Sequence, residues 1–250
     1  MSRNGGFAEY AVADSRQVAP IPEGLDPVNT APLMCAGLTI WNALETAGIN
    51  MNEPQANQRR TVAIIGAGGG LGHLGVQFAA KLGCKVIAVE SGDKPLGLLE
   101  DIARDSKEDG NEITIVDPRK EDAEDARRRV CGGPSGAGLE GELGADVAII
   151  LPEAQRAFEY GMKLLRNHSV CVTVSFPIDG FQMQPRDLVF RHIRVVGVLV
   201  GRNRQLRAML EFAAKHGVRA KVTQYSLKDL NRLVEDYNGG ASGKLVVVND

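Results

Sequence analysis

From Thr61 onward, short β-branched apolar runs alternate with longer stretches in which apolar residues recur every three or four positions. Short continuous apolar runs are the mark of buried strands, and the longer spacing is that of amphipathic helices. TVAIIG (61–66), KVIAVE (85–90), EITIVD (112–117), ADVAIIL (145–151), SVCVTVS (169–175) and IRVVGVLV (193–200) predict six strands. Helical spacing covers about residues 70–82, 95–105, 120–130 and 153–166 between them. Such alternation predicts βαβ units feeding a parallel sheet, and strands apolar almost throughout fit a sheet covered by helices on both faces. The expected fold class is α/β, a doubly wound, six-stranded parallel sheet.

The ends of the chain read differently. FAEYAVADSRQVAPIPEG (7–24) and GKLVVVND (243–250) read as strands outside that sheet, which predicts a second, small β unit built from both termini. INMNEPQANQRR (49–60) and the glycine-rich CGGPSGAGLEG (131–141) read as surface connections. In DPRKEDAEDARRR (117–129) acids come early and arginines late, the order that suits a helix dipole on a solvated helix. Trp41, in LTIWNAL, follows helical spacing and reads as core or cleft wall.

Charge and composition remove several functions. Twenty-nine basic and 31 acidic residues leave a net charge of −2, so nothing electrostatic asks for nucleic acid or an anionic membrane. No apolar run approaches the roughly 20 residues that span a bilayer, and MSRNGGFAEY lacks the apolar centre of a secretory signal, so an intracellular, cytoplasmic protein is expected. Cys35, Cys84, Cys131 and Cys171 are too widely spaced for a zinc knot or a disulfide framework. His73, His168, His192 and His216 form no ligand pair in sequence.

The chemistry concentrates in TVAIIGAGGGLGHLGVQFAAKLG, which runs from strand through a glycine turn into helix. The strict G-x-G-x-x-G spacing is read as absent, because the frame from Gly66 meets Leu71 and that from Gly68 meets His73. Ala67-Gly68-Gly69-Gly70-Leu71-Gly72 instead fits the looser pattern with alanine first. In that reading Gly69 lets the backbone approach a pyrophosphate, Gly72 lets the helix close on the strand, and the helix N-terminus offers N–H groups to the anion. Glu90 ends the second strand, where an acid accepts from both ribose hydroxyls and repels a 2′-phosphate. Together these predict a Rossmann-type domain binding NAD(H) rather than NADP(H). Lys94 either supports the ribose or is solvated. His73 either approaches the phosphates or is structural.

These residues also carry a family resemblance. GGFAEYAVAD, APLMCAGLTIWNAL, GAGGGLGHLGVQFAAKLG, VVGVLVGRN and SGKLVVVND, in that order, resemble the C-terminal two thirds of a zinc-type alcohol dehydrogenase of the medium-chain dehydrogenase/reductase family, nearest the fungal tetrameric type. The resemblance implies an NAD domain at residues 35–200 and, at 1–34 and 201–250, a remnant of a GroES-like catalytic domain. It further implies Thr39 near the nicotinamide, Ile150 and Leu151 at the fourth strand end, and Ser175, Val198 and Val200 around the carboxamide. Lys244 falls where the family often places an arginine on the pyrophosphate.

In that family three protein ligands hold the catalytic zinc. Only the third, Cys35 in A-P-x-x-C-A-G, has a counterpart here, and one cysteine cannot hold a catalytic zinc. Cys35 is expected to pack as a small buried side chain. The chain therefore reads as a truncated, zinc-independent, alcohol-dehydrogenase-like oxidoreductase acting on a small molecule, with no catalytic residue assignable. The alternatives are a repurposed cyclase or isomerase for a bulky apolar substrate and a non-catalytic nucleotide- or partner-binding protein. A homo-oligomer, dimer or tetramer, is expected, because in the family VVGVLVG lies at a dimer-forming sheet edge.

Overall fold

A computed structural model of the 250-residue chain describes residues 5–8, 10–132, 141–240 and 242–249. The six expected strands form at β1 Thr61–Ile65, β2 Lys85–Val89, β3 Ile113–Val116, β4 Ala145–Ile150, β5 Leu165–Thr173 and β6 Arg194–Gly197. They pair in parallel in the order β3-β2-β1-β4-β5-β6. Chain direction across the sheet reverses between β1 and β4, which creates a crevice at the strand C-termini.

Helices cover both faces. In chain order they are α1 Pro27–Thr30, α2 Ala36–Thr46, α3 Gly72–Lys81, α4 Asp93–Glu108, α5 Ala123–Cys131, α6 Gln155–Leu164, α7 Pro185–Val189, α8 Asn203–His216 and α9 Leu230–Asn238. Successive strand residues point to opposite faces, so each strand feeds two cores. Val62, Ile64, Val147 and Ile149 pack with α2, α3 and α8, whereas Ala63, Ile65, Ala148 and Ile150 pack with Phe158 and Met162 of α6. This two-sided burial explains why the strand runs are apolar throughout. Trp41 is buried, 5.5 Å from Phe78 and 5.1 Å from Phe212 between ring centroids. Asp122 caps α5 by accepting from the N–H groups of Glu124 and Asp125, so the expected acid-first helix forms there.

Four expectations change. The N-terminal stretch 7–24 forms no strand among its described residues, because no ladder partner lies beside it. Side-chain bonds tie it to the C-terminal part, from Asn249 Nδ2 to the Ala8 carbonyl at 2.8 Å, from Asn203 Nδ2 to the Arg16 carbonyl at 3.1 Å and from Arg219 to the Gly24 carbonyl at 2.8 Å. The small sheet instead pairs β7 Val222–Ser226 with β8 Lys244–Val248 in parallel. The fifth strand starts at Leu165, directly after α6, and a register shift between Ala145 and Val147 accommodates the extra residues, including His168 at φ 59°. The sixth stops at Gly197, since Val200 turns the chain at φ 45° toward α8.

The fourth change concerns the linker 49–60, which is more than a surface connection. Buried Asn57 accepts from the Asn50 N–H at 3.0 Å and donates to the carbonyls of Asn50 and Leu82 at 2.8 and 2.9 Å. A buried amide with three partners pins the linker to the end of α3. Asp146 does similar work at the N-terminal sheet edge, accepting from the Thr61 N–H at 2.8 Å and from the Arg166 guanidinium at 2.7 and 3.0 Å. It joins the starts of β1, β4 and β5. The loop expected at 131–141 lies outside the described residues from 133 to 140.

Candidate functional site

The glycine turn leaves β1 toward the crevice. Gly66 takes φ 80°, a left-handed conformation that glycine adopts without penalty, and the N–H groups of Gly66 and Ala67 bond the Val89 carbonyl. A Cβ on Gly72 would stand 2.1 Å from the Gly66 carbonyl oxygen and 2.6 Å from Ala67 backbone atoms. No side chain fits there. This contact lets α3 begin directly against the strand end, and the N-terminus of a helix offers free N–H groups. A Cβ on Gly68 would strike the backbone of Pro95, 2.5 Å away at the carbonyl oxygen.

The strict glycine spacing does in fact occur, at Gly70, Gly72 and Gly75, one frame later than the turn. Gly75 sits inside α3, where a Cβ would meet Ile40 and Ile64 at 3.1 Å. It serves helix packing, and the turn itself runs from Gly66 to Gly72.

Glu90 closes the turn from β2. Its carboxylate accepts from the Gly68 N–H at 3.0 Å, and from the N–H groups of Ser91 and Gly92 at 2.8 and 3.0 Å. A carboxylate has about four lone-pair sites, so capacity remains for a further donor. Beside it opens a cavity of about 420 Å³ lined by Gly66, Glu90, Ser91, Arg119, Pro152 and Tyr160. Wider grooves of about 600 and 920 Å³ lie between α5 and α6 and along α8, and neither meets the glycine turn. The smaller cavity is the one at the topological switch point, where ligands of open α/β sheets bind.

The other sequence-derived positions are spread over several elements. Lys244 of β8 reaches over the turn, its Cε 2.9 Å from where a Gly70 Cβ would stand, and burial lowers the pKa of its ammonium group. Ala67 is buried and Leu71 half-buried, while Lys94 is exposed in the first turn of α4. Thr39 is buried and its hydroxyl donates to the Cys35 carbonyl one turn back at 2.8 Å. Ser175 donates to the Pro152 carbonyl at 2.9 Å, and the Val198 N–H bonds the Thr173 carbonyl at 3.2 Å. Ile150 points into the core against Gly161, whereas Leu151 continues past the strand end. A β-branched residue with positive φ is an outlier, and Val200 is one, at the position where the resemblance expects a carboxamide contact.

Cys35 is exposed rather than buried, because it stands between a 3₁₀ turn and the first residue of α2. Among the described residues no three His, Cys, Asp or Glu side chains converge as a metal group. Cys84 and Cys171 are buried, which pushes both thiols up to about 12 and leaves them inert near neutral pH. His216 stacks on Phe212 at 4.2 Å, and His168 and His192 meet through their Nδ1 atoms at 3.1 Å.

Sheet order and crevice together define a Rossmann-type α/β protein. The family model described as zinc-binding dehydrogenase matches residues 70–215, more than half of the chain, and the chain belongs to that family. An alcohol dehydrogenase of Geobacillus stearothermophilus is 32% identical over 98% of this chain and 65% of its own length. Alcohol dehydrogenase 1 of Emericella nidulans is 30% identical over 93% of this chain and 60% of its own. The crystal structure of the alcohol dehydrogenase of the archaeon Aeropyrum pernix superposes with a TM-score of 0.78 at 25% identity, covering 98% of this chain and 65% of that one. The chain thus spans about 65% of the length of such relatives. No helix among the described residues is long and apolar enough to cross a membrane.

Proposed function

We propose that this chain binds NAD(H) in preference to NADP(H) and forms the nucleotide-binding part of an alcohol-dehydrogenase-like oxidoreductase for a small-molecule substrate. The observation that carries the reading is the glycine turn, closed by Gly72 against Gly66 and joined to Glu90 through the Gly68 N–H. A pyrophosphate placed over Gly69, Gly70 and Leu71 meets the N-terminus of α3 and the ammonium of Lys244. The adenosine ribose then lies at Glu90, with Lys94 at the rim. The nicotinamide extends toward Thr39, Leu151, the backbone of Ile150, and Ser175, Val198 and Val200. The nucleotide supplies a hydride donor or acceptor, and the chain's residues bind and orient it.

Within these 250 residues we propose hydride transfer without zinc. Cys35 alone does not hold the metal, and charge developing on a substrate oxygen then falls to hydrogen-bond donors. The repurposed and non-catalytic alternatives have no observation in their favour. The test is a fluorescence titration of the folded chain with NADH and NADPH, with and without added zinc. Saturable micromolar binding that prefers NADH and ignores zinc is expected, and a folded chain with no saturable NADH binding would sink the proposal.

We also propose a homo-oligomer. Among the described residues β6 is an edge strand with a free side, and Val189, Phe190 and Leu199 near it in the chain are exposed. An open apolar strand edge invites pairing with a second one. Sedimentation velocity is expected to give a dimer or tetramer, and a monomer at micromolar concentration would contradict this.

A further inference from the structure

His73 is the second residue of α3 and is fully buried. Its Nδ1 lies 2.9 Å from the Gly69 carbonyl, which only accepts, so Nδ1 carries the proton. Its Nε2 accepts from the Lys221 N–H at 3.1 Å. Both ring nitrogens are therefore engaged in opposite roles, and the ring is neutral in a single tautomer. One turn on, Gln77 grips the same segment twice, donating to the Arg219 carbonyl at 2.9 Å and accepting from the Arg219 N–H at 3.1 Å. The Lys221 carbonyl in turn accepts from the Lys244 N–H at 2.8 Å. Lys244 then sends its side chain back over Gly70. The path leaves the helix that opens at the glycine turn and returns to that turn.

We propose that His73 is a positioning residue, whose neutral imidazole ties segment 219–221 to α3 and so holds the Lys244 ammonium where a dinucleotide's pyrophosphate binds. The last step rests on the nucleotide-binding reading above, whereas the tie itself does not. Lys244 on β8 is the charged side chain that bears on the ring; Lys221 contributes its backbone N–H. Burial first, and the Lys244 charge in addition, hold the imidazole below its ordinary value of 6.5, while the Gly69 carbonyl works against them. A protonated ring would turn an Nε2–H toward the Lys221 N–H, donor against donor. The stability this histidine contributes is complete above about pH 6.5 and is lost as pH falls through the lowered folded value.

Two readouts separate the tie from nucleotide binding. In the first, acetylation of lysines is followed by mass spectrometry on the wild type, His73→Leu and His73→Gln. Lys244 is expected to react slowly in the wild type relative to exposed Lys94, to react about tenfold faster in His73→Leu, and to stay slow in His73→Gln, whose amide can both donate and accept. Equal Lys244 rates in the wild type and a folded His73→Leu would overturn the proposal, whatever the outcome with nucleotide.

In the second readout, NADH is titrated into the same proteins, Lys244→Ala, and the His73→Leu/Lys244→Ala double variant. Each single loss is expected to weaken binding about tenfold, the size of one charge-assisted hydrogen bond. The double variant is expected to match Lys244→Ala, because residues acting through one another are not additive. Wild-type affinity should hold through about pH 6.5 and fall only as pH drops through the histidine's lowered folded value, while that of His73→Gln stays level. Additive losses or superimposable pH profiles would overturn the proposal. Absence of NADH binding in the wild type would instead strike the nucleotide reading, and Lys244 reactivity would still decide the tie.

Discussion

Gly72→Ala is expected to abolish measurable NADH binding and to lower stability by about 3 kcal/mol, the upper range for forcing atoms into a packed site. The new methyl carbon would stand 2.1 Å from the Gly66 oxygen, a backbone atom that cannot rotate aside. Either α3 moves off the strand end or the turn opens, and both displace the N–H groups at the start of α3. For a domain of this size that cost corresponds to a melting temperature lower by about 6–12 °C. Gly97→Ala is the control, because its Cβ would meet nothing within 4 Å on α4. There the substitution should stabilise by about 0.5–1 kcal/mol and leave NADH binding unchanged. Equal NADH affinity in Gly72→Ala and wild type would show that the turn does not hold the nucleotide.

Replacing Glu90 should change which nucleotide binds. In Glu90→Ala the ribose hydroxyls lose a charged acceptor, a bond of about 1.5–3 kcal/mol, so NADH affinity is expected to fall about 10- to 150-fold. The repulsion that disfavours a 2′-phosphate disappears at the same time. The preference for NADH over NADPH is therefore expected to shrink by at least about tenfold. Because Glu90 also holds the N–H groups of Gly68, Ser91 and Gly92, loss of affinity alone could reflect a loosened turn. Glu90→Gln removes the charge and keeps one acceptor oxygen, enough for the Ser91 and Gly92 N–H groups that share Oε1 but not for the Gly68 N–H on Oε2, so its readout is the NADH-to-NADPH ratio rather than affinity. A nucleotide ratio unchanged in both variants would remove Glu90 from the recognition of the ribose.

Much of the glycine turn was legible because it is a local feature. Gly69, Gly70 and Gly72 lie close together where a strand passes into a helix, and at Gly72 the reason only glycine fits is contained in a few residues of backbone. Glu90 was legible as well, since the length of one helix and one strand sets how far along the chain the neighbouring strand ends. Lys244 was reached through resemblance alone. Nothing in SGKLVVVND indicates that its side chain lies over a turn more than a hundred positions earlier. The exposure of Cys35 was missed for a similar reason, because a cysteine in an apolar stretch gives no sign that it falls at a helix start. The N-terminal segment misled in the opposite direction, since its apolar alternation suits a strand but a strand exists only beside another strand.

What the sequence by itself determined is therefore the set of elements and the layered architecture. The spacing of apolar residues reports which face of each strand and helix is buried, and unbroken apolar strands report burial on two faces. What only the tertiary structure decided is the pairing of groups distant in the chain. The two-stranded β7–β8 sheet, the Asp146 junction of three strands and the His73 bond to Lys221 across 148 positions are examples. A hydrogen bond between remote residues leaves no periodic trace, because its geometry is fixed only once the helices have packed on the sheet.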